Sequence, residues 1–190
     1  MRAFIAVEVS AEIKAVLGRI EEHLKYAGAD VKWVKPEIIH LTLKFLGEIP
    51  EQKAEEVAKA LDGIASATKP FDLTLKDIGA FPKIEFPRVV WAGLDKGAAE
   101  CAGLAAKVEE AMSGLGFAKE DRPFSSHLTI GRVRSSLNRA KLKEKMASAA
   151  ANFKLSEVIP YRVASIILFQ SKLTPQGSIY TKLHEAQFRQ

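Results

Sequence analysis

The chain has 190 residues, of which 47% are hydrophobic and 27% charged, and a formal net charge of +5. A chain of this length and make-up buries a sizeable core without staples, and it contains no run near the roughly 20 apolar residues of a membrane-crossing helix. One cysteine, Cys101, forbids an intramolecular disulfide and fits a reducing, cytoplasmic setting. The basic balance, with a pI near 9.3, suits an anionic partner such as RNA without specifying one.

In chain order, Phe4 to Val9 is a short apolar, β-branched run that reads as a strand. Glu8 interrupts it and no small-residue cleavage site follows, so it is not a signal peptide. Ser10 is a helix N-cap, followed by Ile13, Leu17, Ile20 and Leu24 at helical spacing, and Gly28 ends the helix. Trp33-Val34-Lys35-Pro36 is extended, because Pro36 forbids helix. Ile39 to Phe45 alternates polar with apolar, the period of a half-buried strand. A helix over 51–61 and a strand over 71–75 follow.

The order then repeats. A strand is expected over 88–94, a helix over 97–115, an extended link at Arg122-Pro123-Phe124 and an alternating strand from His127 to Ile130. A helix over 137–149 and a strand beginning at Phe153-Lys154-Leu155 complete the second copy. Ile5 and Trp91 stand at nearly equal distances before His40 and His127. A long strand over 163–173, a turn at Thr174-Pro175-Gln176-Gly177 and a return strand over 179–183 form a C-terminal hairpin. The expectation is one bilobal α+β domain over 1–190, with pseudo-repeats of roughly 1–85 and 86–160 and a hairpin over 161–190. Two antiparallel sheets related by a pseudo-two-fold would face a central cleft, with helices outside.

His-Leu-Thr-Leu at 40–43 and His-Leu-Thr-Ile at 127–130 carry the chemistry. On a strand, residues i and i+2 share a face, so His40 joins Thr42 and His127 joins Thr129, each backed by core aliphatics. An imidazole titrates near neutrality, so one accepts a proton while another donates one. A threonine hydroxyl donates to a phosphate oxygen from a stiff side chain. One such tripeptide is an ordinary polar strand face. Two in the same slot of a repeat are not explained by packing, which preserves leucines and has no use for histidine and threonine on the polar side. A metal centre lacks further ligands at suitable spacing, and neither a nucleophile elbow nor a Gly-rich phosphate loop is present. His23 and His184 have no partner motif, and Cys101 reads as a small buried apolar residue.

At these residues the chain resembles the two-histidine phosphoesterase superfamily. It is most similar to the RNA 2′,3′-cyclic phosphodiesterases, also called 2′-5′ RNA ligase-like proteins. The resemblance runs through Trp33-Val34-Lys35-Pro36, His40 to Gly47, Pro87 to Trp91, Arg122 to Arg132, and Leu173 to Gly177 with Tyr180. It implies hydrolysis of RNA 2′,3′-cyclic phosphate ends, tRNA fragments among them, to 2′-phosphates without a metal or other cofactor. It implies His40 as proton donor, His127 as proton acceptor, and Thr42 and Thr129 as phosphate binders. Arg132, Lys44 and Phe45 are further candidate substrate contacts. Lys44 shares the parity of His40, whereas Arg132 has the wrong parity unless Gly131 bends the strand. Phe45, Trp33 and Phe124 read first as core residues and second as base-stacking ones. Ser126 stands where the family often has proline, which predicts a looser link before His127. The alternatives are 2′-5′ ligation by the reverse reaction and a non-catalytic module gripping RNA ends. Nothing demands more than a monomer.

Overall fold

The computed structural model describes residues 1–175 and 177–189, so Gln176 of the expected turn lies outside the described residues. The first copy runs β1 (Arg2–Glu8), α1 (Ala11–Lys25), β2 (Val31–Trp33), a 3-10 turn (Pro36–Ile38), β3 (His40–Glu48), α2 (Glu51–Ser66), β4 (Phe71–Leu73) and β5 (Leu75–Lys83). The second runs β6 (Phe86–Leu94), α3 (Ala98–Gly114), β7 (His127–Val133), α4 (Arg139–Asn152) and a 3-10 turn (Leu155–Glu157), and it extends past the expected boundary at 160, because β8 (Tyr161–Val163) and β9 (Ser165–Thr174) repeat the order of β4 and β5; β10 (Gly177–Gln187) is appended. The architecture is α+β, with two four-stranded antiparallel sheets ordered β10-β9-β1-β3 and β2-β7-β6-β5.

The two copies exchange strands. β1 pairs with β3 of its own copy and with β9 of the other, while β6 pairs with β7 and with β5. The short strands β4 and β8 pair only with each other, Asp72 opposite Arg162, with an ion pair of 3.3 Å between them. The runs 71–75 and 163–173, each continuous in the sequence pattern, are not single strands. Each breaks after its β4–β8 segment, at Thr74 and at Ala164, where the chain leaves the small sheet for a large one.

Two further expectations are corrected. Phe153 to Leu155 is no strand: Phe153 caps α4 and Leu155 opens a 3-10 turn, with Phe153 N–H bonded to Ala149 O at 3.0 Å. Conversely, the strand expected over 71–75 stops short of β5, which continues through Gly79 and Pro82 to Lys83. β5 is an edge strand, where proline is tolerated, and Gly79 is needed: a Cβ there would come within 2.3 Å of the Trp91 indole.

Local chemistry explains α1 well. The Ser10 hydroxyl oxygen accepts the Ile13 N–H at 3.2 Å, satisfying one of the donors a helix start leaves orphaned. Ile13, Leu17, Ile20 and Leu24 then join Ile5, Val7 and Leu41 in the main core, each such side chain contributing about 2 kcal/mol when fully buried. That core lies on the helix side of both sheets. Phe4, Ala6, Ile167 and Phe169 form a separate small cluster with Tyr180. It occupies the opposite face of the first sheet, the face that carries His40.

Candidate active site

β3 and β7 are built alike. Each begins at its histidine, and their burial alternates identically through six residues, from His40 to Phe45 and from His127 to Arg132. In each, a residue drops out of the pairing register at the same place, and β3 has a second break at Leu46, between the Phe4–Phe45 and Ala3–Gly47 pairs. Ala6 pairs with Thr42 and Ile5 with Lys44, leaving Leu43 unpaired; Trp91 pairs with Thr129 and Val90 with Gly131, leaving Ile130 unpaired. These are β-bulges at equivalent positions, and a bulge reverses the alternation of faces beyond it. The register also corrects the sequence alignment of the copies: Ala6, not Ile5, is the counterpart of Trp91.

The bulges decide three candidate residues. Phe45 and Arg132, of the wrong parity on a regular strand, turn onto the faces of His40 and His127. Phe45 is 57% exposed and its ring lies 6.1 Å from that of Phe4, while Arg132 is exposed and close enough for its charge to act on His127. Lys44, expected beside His40, turns inward instead. Its ammonium donates to both Glu109 carboxylate oxygens, at 3.0 and 2.8 Å, and to Ala118 O at 2.9 Å. All three donors of a side chain only 2% exposed are thereby satisfied. Trp33 and Phe124 are partly buried against the main core.

Both imidazoles are held in the same way. His40 Nδ1 lies 2.8 Å from Ile38 O, and His127 Nδ1 lies 2.8 Å from Ser125 O. A carbonyl oxygen only accepts, so each Nδ1 carries hydrogen and donates it. The neutral ring then keeps Nε2 as its free acceptor, and the protonated ring presents Nε2–H as a donor. Ser126 does not loosen this link: its hydroxyl donates to Ala98 O at 2.9 Å, tying the segment to the first turn of α3. Burial lowers the pKa of both histidines below the ordinary imidazole value, and the bond to Ile38 O or Ser125 O opposes that shift. Lys14 lowers His40 further while Glu8 raises it; Arg132 lowers His127.

Aromatic rings surround each imidazole. Phe4 stacks on His40 at 4.7 Å between centroids and Tyr180 meets its face edge-on at 5.2 Å. Phe81 meets His127 edge-on at 4.9 Å and packs against Trp91 at 5.3 Å. Phe4, Phe81 and Phe169 are not among the site residues that the sequence singles out. β1 is buried on both faces, so its sequence is continuously apolar and hides which residues face His40. Thr42 and Thr129 stay half-exposed on the histidine faces, as the alternation predicts.

The remaining histidines lie elsewhere: His23 packs edge-on to Phe153 and His184 Nε2 lies 2.7 Å from Asp62. Cys101 is fully buried and its thiol is pushed up to about 12 by desolvation, which makes it inert. Glu37 sits in the 3-10 turn ahead of β3. Among the described residues, no three His, Cys, Asp or Glu side chains come together as a metal site. No helix among them is long and apolar enough to cross a membrane.

The family described as LigT like Phosphoesterase matches the chain twice, over residues 7–91 and 93–180. Among similar proteins, an RNA 2′,3′-cyclic phosphodiesterase of Archaeoglobus fulgidus is 39% identical over 184 residues, covering 96% of this chain and 98% of that one. Another, of Methanothermobacter thermautotrophicus, is 34% identical over 183 residues and covers 96% of each. Of solved structures, TT0787 of Thermus thermophilus superposes with a TM-score of 0.79 at 27% identity, over 100% of this chain and 98% of that one. Escherichia coli LigT complexed with 3′-AMP shares the fold, with a TM-score of 0.73 at 22% identity and the same coverage.

Proposed function

Because the chain belongs to the LigT-like phosphoesterase family, we propose that it is an RNA 2′,3′-cyclic phosphodiesterase working by metal-independent acid–base catalysis between His40 and His127. Its substrate is RNA ending in a 2′,3′-cyclic phosphate, and its product carries a 2′-phosphate and a free 3′-hydroxyl. The observation that carries this reading is the matched pair of Nδ1 bonds to Ile38 O and Ser125 O. They fix two imidazoles with Nε2 free, one on each of two equivalent strands, which is what a reaction needing one base and one acid requires.

In the proposed step, His127 Nε2 takes a proton from water as the water oxygen bonds to phosphorus. The bond from phosphorus to the 3′ oxygen breaks, and His40 Nε2–H protonates that oxygen. Thr42 and Thr129 donate hydrogen bonds to the non-bridging oxygens, and Arg132 supplies positive charge where negative charge develops. Beside His40, the exposed Phe45 ring and the half-buried Tyr180 ring, packed on the buried Phe4 and Phe169, suit a nucleoside base, since stacking tolerates any base.

The test is a short RNA ending in a 2′,3′-cyclic phosphate, incubated with and without EDTA, with the product end identified. A 2′-phosphate formed equally in EDTA, and lost with His40→Ala and with His127→Ala, supports the reading. Tight retention of the RNA without turnover would replace it with an RNA-end-binding role. Ligation in preference to hydrolysis would make the chain a 2′-5′ ligase.

A further inference from the structure

Two histidines held by identical bonds on equivalent strands have no built-in reason to divide into a donor and an acceptor. The division has to come from what differs around them. Register supplies the comparison residue by residue. Directly opposite His40, across the β1–β3 pair, is Glu8; directly opposite His127, across β6–β7, is Gly93. Residues opposite each other in an antiparallel pair share a face with Cβ atoms about 5 Å apart, so the Glu8 carboxylate borders the His40 ring. The bulges add the converse: the slot that holds Arg132 near His127 holds the uncharged Phe45 near His40.

Glu8 does not stand alone. Lys182 on β10 lies 2.6 Å from its carboxylate and 3.2 Å from that of Glu185, and Glu185 accepts a hydrogen bond from Ser165 Oγ at 2.8 Å. The remaining charge near His40 is Lys14 of α1, whose ammonium is occupied by Glu37 O at 2.9 Å. Phe4 and Tyr180 cover the ring without charge. Tyr161, the other titratable group beside Glu8, has its phenol raised by burial first and then by the Glu8 and Glu185 carboxylates, so it stays neutral. On the other wall, Gly93 puts no side chain of its own opposite His127; instead the exposed Asp77 carboxylate of β5 reaches over it, to 2.3 Å from where a Gly93 Cβ would stand. Of the charges on that wall, Arg132 is the one that acts on His127.

We infer that Glu8 is a positioning residue that assigns the proton-donor role to His40, and that Lys182 limits how strongly it does so. The inference rests on the two-histidine reading and deepens it. The carboxylate favours the imidazolium, while Arg132 disfavours it at His127, so the environments push the two rings towards opposite protonation states. The direction in which Glu8 acts on His40, raising its pKa against desolvation, agrees with this geometry.

The test pairs two substitutions with opposite expected signs. In Glu8→Gln the His40 titration, followed by NMR of the imidazole, moves to lower pH by roughly half a unit, and the alkaline limb of kcat/KM moves down with it. In Lys182→Met the unmasked carboxylate moves both to higher pH. Glu8→Asp restores most of the wild-type limb. Movement of both variants in the same direction, or of neither, overturns the inference, because loosened packing has no reason to act with opposite signs. An effect of Glu8→Gln on the acidic limb alone would overturn it too, by making His40 the base. The NMR titration reads His40 without turnover. If the shifts appear there while the RNA is not hydrolysed, Glu8 does tune His40 and the hydrolase reading is what fails.

Discussion

The wall carrying His40 and the wall carrying His127 share a frame and differ in their surroundings. Strand start, bulge, threonine and Nδ1 bond coincide. Around that frame, the first wall has a stacked Phe4 ring and the Glu8 carboxylate, and the second has an edge-on Phe81 ring, an arginine, and a glycine beneath the Asp77 carboxylate. At the inner bulge position the first wall commits a buried Lys44 to the Glu109 ion pair, and the second has Gly131, where a Cβ would meet Val31 and Trp33 at 2.8 and 2.9 Å. The comparison teaches that the repeated features are those the chemistry needs twice, a held imidazole and a hydroxyl. The features that diverged are those it needs once.

The largest effects break the shared frame. His40→Ala and His127→Ala should each lower kcat/KM by about 100- to 10,000-fold with unchanged melting temperature, as expected for loss of a general acid or base. Equal losses from either side are the prediction; a variant retaining more than about a tenth of wild-type activity would remove that histidine from the mechanism. Next come the threonines. Thr42→Val and Thr129→Val keep shape and remove a donor, and each should cost about 100-fold, mainly in kcat if the bond strengthens in the transition state. A rise in KM alone would mean that the hydroxyls hold the ground state only.

Smaller effects sharpen the differences between the walls. Glu109→Ala leaves the Lys44 ammonium buried with only Ala118 O as partner, and should destabilise the fold by about 2 kcal/mol in urea titration; the partial exposure of Glu109, 26%, keeps the cost below that of a fully buried pair. Lys44 would count as a substrate contact after all if Glu109→Ala left stability intact and changed the salt dependence of KM. Phe45→Ala has the smallest expected effect, a several-fold rise in KM for RNA, on the order of 1 kcal/mol of lost stacking, with stability within about 0.5 kcal/mol of wild type.

The histidine strands are legible in the sequence because one buried face enforces a period of two. The bulges are not, because a bulge exists only in the pairing of two strands, and Leu43 and Ile130 look like any other aliphatic in an alternating run. That single omission puts Lys44 on the wrong face and leaves Arg132 conditional on a bend at Gly131. The exchange of β5 and β9 between copies is hidden for a similar reason: Gly79 and Pro82 break a strand locally, yet an edge position and the overlying Trp91 indole accommodate both. Glu8 reads only as an interruption of an apolar strand, since its partner across the sheet lies 32 positions away, in β3.

The central claim is that the two equivalent histidines perform complementary proton transfers, and the residual activities of the single variants test it most directly. The kcat/KM of His40→Ala and His127→Ala should be followed across pH on the cyclic-phosphate RNA. With the donor removed, His40→Ala should keep only the acidic limb set by His127; with the acceptor removed, His127→Ala should keep only the alkaline limb set by His40. Both limbs lie below the range of free imidazole to the extent that burial depresses the two rings. Identical profiles in the two variants, or a full bell surviving in either, would contradict the division of labour on which the account stands.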